Sequence, residues 1–313
     1  MVTQTPEMHL LKQGEWGKME RHLAVRFIVM PKLLILAVLA TVLGFGQSAE
    51  LERARQLYQR TSYEEALSLL AGMSHQTAPG YILMGKCHYM KGDFKKATEA
   101  LDRAAGLAPD SSEAHLWLGR AYGRRAETAT FLTAPGLATK ARASFEKAVE
   151  LADGNVEAAS DLFEYYLEAP GLLGGGMDKA RALAERTKDA DPAEYHYRLA
   201  KIAEKRREYN DAEEQLRRSV ELAPRQVNRF VELAKFLAKS GQYEKSDAAF
   251  HEAERIAPEN PNVKFERARA YIRAKRNLEA ARELLVQYLN APLTPEDPPR
   301  REAERLLREA GSS

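Results

Sequence analysis

One cysteine, Cys87, stands in a chain of 313 residues, which excludes an internal disulfide and a cysteine-built zinc cage. It is expected to pack as a small apolar side chain. Tryptophan is scarce, and the seven histidines, at 9, 22, 75, 88, 115, 196 and 251, show no HExxH or other paired ligand spacing. Cys87 and His88 are sequence neighbours that point in different directions on a helix, so no metal or other cofactor is expected. Net charge is also small: 47 Lys and Arg oppose 45 Asp and Glu. No global field draws the chain to nucleic acid or to an acidic membrane, so any electrostatic function must be local. A Gly-x-Ser-x-Gly elbow is missing too. Catalytic triads assemble from distant positions, but with no local signature the chain reads as a non-enzyme without catalytic residues.

Only one long apolar run exists, Leu33 to Phe45, preceded by Arg21, His22, Arg26 and Lys32. A bilayer crossing takes about 20 apolar residues, so the run is short for a span and fits the apolar core of a secretory signal. Small residues follow at Gly46-Gln-Ser-Ala49, where a peptidase could cut. Residues 1–49 are therefore read as a signal peptide, with Met30 as an alternative start. Export to the periplasm or another extracytoplasmic space is expected; an uncleaved inner-membrane anchor is the alternative.

What the chain has in quantity is apolar and charged residues, 44% and 29%, arranged with a period. Small residues at Ala66, Ala97, Ala141, Ala180, Ala212, Ser246 and Ala280 are spaced by 31, 44, 39, 32, 34 and 34. Helix stops follow most of them, at Pro109, Pro192, Pro224, Pro258 and Pro292, and a second small residue precedes most of them, as Ala54, Gly85, Gly119, Ala200, Ala234 and Ala268. Leu116-Trp-Leu-Gly-Arg-Ala-Tyr122 and Gly92-Asp-Phe-Lys-Lys-Ala97 carry the rest of the pattern. These residues resemble the tetratricopeptide repeat family, a 34-residue unit of two antiparallel helices. The resemblance implies an all-α right-handed solenoid of about seven repeats over residues 50–294. It departs in repeat four, where Phe163 takes the small-residue slot. Residues 295–313 are expected to form a capping helix begun by Thr294-Pro-Glu-Asp297, with Ala303, Leu306, Leu307 and Ala310 on its inner stripe.

Repeats three and four are longer than the period, and both extensions, near 125–140 and 168–176, contain Ala-Pro-Gly-Leu. The second continues into Gly174-Gly175-Gly176. A phosphate loop would need Gly-Lys-Ser/Thr after a strand; here Asp178 precedes Lys179 and the preceding element is a helix. A structural loop is one reading. The other is an edge lobe for recognition, built from Pro135, Gly136, Leu137, Pro170, Gly171, Leu172, Gly174, Gly175 and Gly176, with Phe131, Leu132 and Leu173 as apolar contacts. The two loops are expected to touch. Secreted bacterial repeat proteins with an APG loop ahead of a Gly cluster are similar, and no activity comes with that likeness.

The residue after each first-helix small residue forms a ladder: Arg55, Lys86, Arg120, Glu164, Lys201, Lys235 and Arg269, six of seven basic. Arg124, Lys205, Lys239 and Arg273 continue it one turn on. In the family this row faces the concave groove. One reading is a solvated face paired with neighbouring Glu. The other is a groove for an acidic or C-terminal peptide, with apolar anchors at Leu51, Ile82, Leu116, Tyr197, Val231 and Phe265. Exposed ion pairs contribute only about 0.2–1 kcal/mol each, so the anchors would supply most of the affinity. Leu116 and Trp117 depart from the family's chaperone-tail clamp, which disfavours a cytosolic chaperone. The expected partner is thus a protein or peptide; self-association as an envelope spacer is the alternative.

Overall fold

Each segment between stops is rich in Ala, Leu, Glu, Lys and Arg, the residues that lose least on entering a helix, and each becomes one. The computed structural model describes residues 49–152 and 154–311; the apolar run and the signal segment lie outside the described residues. From Arg53 onward the chain is one compact unit. Its hairpins are α1 (49–59) with α2 (Tyr63–Gly72), α3 (Ala78–Lys91) with α4 (Phe94–Leu107), α5 (Ser112–Thr128) with α6 (Ala134–Leu151), and α7 (Val156–Glu168) with α8 (Met177–Glu185). They continue with α9 (Pro192–Arg206) and α10 (Tyr209–Leu222), α11 (Val227–Lys239) and α12 (Tyr243–Ile256), and α13 (Pro261–Arg273) and α14 (Leu278–Asn290). A last helix, α15 (Arg300–Gly311), follows them, and there is no strand among the described residues. This is the expected solenoid.

First helices are started by side chains. Ser111 accepts from the Ala114 amide at 3.2 Å, Asn155 from Ala158 at 3.0 Å and Asp191 from Glu194 at 2.9 Å, each satisfying an otherwise orphaned donor. Second helices begin after a tight turn whose residue five before the small position has positive φ: Thr61, Gly92, Arg207 and Gly241. The small residues are where the helices meet. A Cβ on Gly119 would come within 2.6 Å of the Phe145 ring, and Ala54, Ala66, Ala97, Ala141, Ala180, Ala212, Ser246 and Ala268 are all buried. In the last repeat the expected Ala280 is exposed and Ala281 fills the slot. The turn there carries one more residue, with both Lys275 and Asn277 at positive φ.

Three further expectations change. Pro192 does not stop α8; it opens α9 behind the Asp191 cap. Ala134 to Leu137 is not a loop but the first turn of α6, where Pro is compatible because an N-terminal amide has no intrahelical partner. The extra length of repeat three lengthens its helices to 17 and 18 residues. Finally, Thr294 to Asp297 does not start a helix: the Asp297 carboxylate accepts from the Thr294 amide and hydroxyl at 2.9 and 3.0 Å, closing a turn before α15 begins at Arg300.

The core runs along the stack in successive clusters rather than one centre, as a unit that cannot bury its faces alone requires. α15 completes the last one with buried Ala303, Leu306 and Ala310. Phe163 is also core: it carries the Arg198 guanidinium 5.4 Å from its ring centre. Arg198 is only 1% exposed and donates to Glu194 at 2.8 Å, the Leu183 carbonyl at 3.2 Å and the Ser160 hydroxyl at 3.4 Å. Arg229 on α11 donates to the other Glu194 oxygen at 2.7 Å, so one carboxylate joins repeats five and six.

Candidate protein-binding groove

First helices line the concave side, and two cavities lie along it. The larger, 1420 Å³, is walled by Tyr58, Tyr89, Trp117, Lys86 and Arg120 from the early repeats and by Pro295–Pro299, Arg301 and Glu302 from the C-terminal segment. The smaller, 520 Å³, is lined by Tyr197, Lys201, Lys235, Lys239, Arg269 and Arg273, with Glu204, Glu232 and Glu266. The ladder thus divides: Lys86 and Arg120 face one cavity, and Lys201, Lys235 and Arg269 the other. Arg55 is exposed on α1 and lines neither.

Most rungs already hold carboxylates. Lys86 pairs with Glu113 at 2.7 Å, Arg120 with Asp161 at 2.5 Å and Glu157 at 3.2 Å, Lys235 with Glu232 at 2.6 Å, and Arg269 with Glu266 at 2.6 Å and Glu302 at 3.5 Å. The second row does the same, with Lys205 on Glu168 at 2.6 Å and Lys239 on Glu204 at 2.5 Å. These are largely struts between successive first helices. Lys201 and Arg273 make no ion pair with a described residue. Lys201 favours ionisation of Glu164, but burial outweighs it and holds that carboxyl above its ordinary value. Burial likewise raises Asp161 despite its Arg120 partner.

The expected apolar anchors divide. Ile82, Val231 and Phe265 are buried between helices, Phe265 beneath the Arg269 guanidinium at 5.4 Å, whereas Leu116, also buried, lines the larger cavity. Tyr197 does reach the groove, half-buried, with Arg229 5.1 Å above its ring. Trp117, part of the first-helix signature and a departure from the family's clamp, is an aromatic floor, with the Lys86 ammonium at 5.0 Å and the Arg120 guanidinium at 4.7 Å from its ring and Tyr89 packed edge-on at 5.4 Å. Such cation–aromatic contacts fix the cations in place.

The C-terminal wall of the larger cavity went unread in the sequence. Arg301 donates to the Lys91 carbonyl at 2.8 Å, so the capping segment reaches the third helix across 210 residues of chain. The Tyr288 hydroxyl donates to the Pro298 carbonyl and steadies that segment.

At the edge, Pro170 precedes a short 3₁₀ turn (Gly171–Leu173), and Gly174 follows at φ 85° with the Arg142 guanidinium of α6 against it. A Cβ on Gly175 would lie 1.9 Å from the Ala169 carbonyl oxygen, so this turn admits no side chain. The second extension packs against α6 at Arg142, beyond the 125–140 stretch, and not against Pro135 or Gly136. Leu137 packs against the core. Cys87 is fully buried, and burial pushes its thiol up to about 12. Among the described residues no group of three His, Cys, Asp or Glu could hold a metal, and no helix is long and apolar enough to cross a membrane.

A right-handed stack of helical hairpins with a lined concave face is an interaction scaffold. One tetratricopeptide repeat model matches residues 83–156 and 231–298, and a second matches 193–226; the chain belongs to the tetratricopeptide repeat family, whose members generally bind proteins and do not catalyse. It is similar in fold to a tetratricopeptide repeat protein from Parabacteroides merdae, at 11% identity and TM-score 0.54 over 85% of this chain and 98% of that one. A thermophilic repeat protein from Thermus thermophilus is 20% identical, with TM-score 0.49 over 61% of this chain and 98% of that one. No curated protein matches.

Proposed function

We propose that this chain is an exported scaffold whose concave face holds an extended segment of another protein. The observation that carries the reading is the pair of cavities along the first helices, one floored by Trp117 and Tyr89, the other lined by five cations against three carboxylates. Because most ladder cations are already paired, a ligand gains little by displacing Glu from them; a peptide carboxylate would enter beside Lys201 and Arg273. Apolar contact with Trp117 and Tyr89 would supply the larger share of affinity, as buried aromatics do at interfaces.

Affinity capture from envelope extract, followed by direct binding of the captured segment, tests this. Trp117→Ala is expected to weaken binding about tenfold or more, and Lys201→Glu with Arg273→Glu to weaken it further for acidic segments. Unchanged capture by both variants would leave the spacer reading instead. Export is tested by detecting mature chain outside the cytoplasm with its amino terminus near Ala49.

A further inference from the structure

Beside the first-helix turns of repeats two and three lies a second charged surface, and its cations behave unlike those of the groove. A cleft of 850 Å³ between the α3–α4 turn and the start of α6 carries Lys95, Lys96, Arg125 and Lys140 against one carboxylate, Asp93. Among the described residues none of these four cations makes an ion pair, although most of the groove cations do. Arg125 donates to the Thr98 hydroxyl at 2.8 Å, and Lys140 lies 5.3 Å from the Tyr122 ring centre; neither contact neutralises charge. The three lysines are exposed.

The three most exposed large apolar side chains of the described residues are Phe131 at 83%, Leu132 at 76% and Leu172 at 86%. Leu132 lines the cleft itself. Leu172 sits on the 3₁₀ turn that packs against α6, so both loops leave the same edge of the stack. Three bare apolar tips on rigidly seated turns, flanked by unpaired lysines, form the surface that interfacial binding needs: side chains that enter the headgroup region and cations that neutralise anionic lipid.

We propose that this edge docks on an anionic lipid surface, with Phe131, Leu132 and Leu172 in the interface and Lys95, Lys96, Arg125 and Lys140 over lipid phosphates. The concave groove then remains open to solvent and to its partner.

Vesicle co-sedimentation tests the proposal with the full chain and with the chain from Ala49, which keeps the whole compact unit and removes the apolar run. Both are expected to bind phosphatidylglycerol-containing vesicles, and the shorter form to leave phosphatidylcholine vesicles unbound. Lys95→Gln with Lys96→Gln and Lys140→Gln should weaken binding by about a hundredfold, since each lysine near an anionic surface contributes about fivefold. Phe131→Ser with Leu132→Ser and Leu172→Ser should abolish it. A site-specific readout is available because buried Cys87 does not react: a polarity-sensitive dye on Phe131→Cys should shift to the blue with anionic vesicles, whereas the same dye on Leu107→Cys, exposed at the end of α4, should not. The proposal is overturned if the chain from Ala49 ignores anionic vesicles, if the variants bind like wild type, or if this edge binds a soluble acidic protein instead.

Discussion

Arg198 shows what a single side chain can settle. Its guanidinium is inaccessible to water and is satisfied by Glu194, a backbone carbonyl and a hydroxyl, so removing it strands a carboxylate that then has only Arg229. Arg198→Ala is expected to lower stability by about 3–5 kcal/mol, read from urea melts, and Phe163→Ala by a comparable amount through the cavity it leaves. From the sequence, Phe163 was visible as an exception and Arg198 was not: its Glu194 partner four residues away is the spacing of any surface helix pair, and the partners that bury it lie 15 and 38 residues away. Cys87 was legible. Its raised thiol also gives a sign to pH dependence. The unfolded thiol ionises near about 8.5 while the folded one holds its proton up to about 12. The folded state binds more protons in that window, and stability falls as pH rises through it. Cys87→Ala should flatten this slope between pH 8 and 10, and native Cys87 should stay unmodified by thiol reagents at pH 8.

Within each hairpin, the periodic small residues located helices well because close packing demands them at fixed intervals. Boundaries failed where one interaction overrode the pattern. Ala281 replaced Ala280 through one added turn residue, and Asp297 spent its carboxylate on a turn instead of a cap. The repeated left-handed position yields a test. Thr61 and Arg207 occupy the conformation that Gly92 and Gly241 adopt without steric conflict, at a cost of about 1–2 kcal/mol for a residue with a Cβ. Thr61→Gly should therefore stabilise by roughly 1 kcal/mol despite the greater freedom of unfolded glycine. Gly175→Ala should do the opposite, since the added methyl meets the Ala169 carbonyl; thermal melts of the two variants should move in opposite directions.

Across the molecule, the groove was half legible. The basic rungs from Lys86 to Arg269 line the cavities, because register fixes direction, but their pairing with Glu depends on the spacing between hairpins, which no single repeat encodes. The far wall was unreadable for the same reason: the Arg301 contact to Lys91 is set by the accumulated twist of all the intervening hairpins. Breaking it with Arg301→Glu should open the larger cavity, and small-angle scattering of the chain from Ala49 should report a larger radius of gyration with helical content unchanged.

That end-to-end contact carries a further consequence. Open solenoids can gain or lose a unit in evolution with little penalty, because every unit touches only its neighbours. Here a duplicated hairpin would rotate and lift the tail away from the residue it now meets, so the number of repeats is itself under constraint, much as the number of links in a clasped bracelet is fixed by where its ends must fasten.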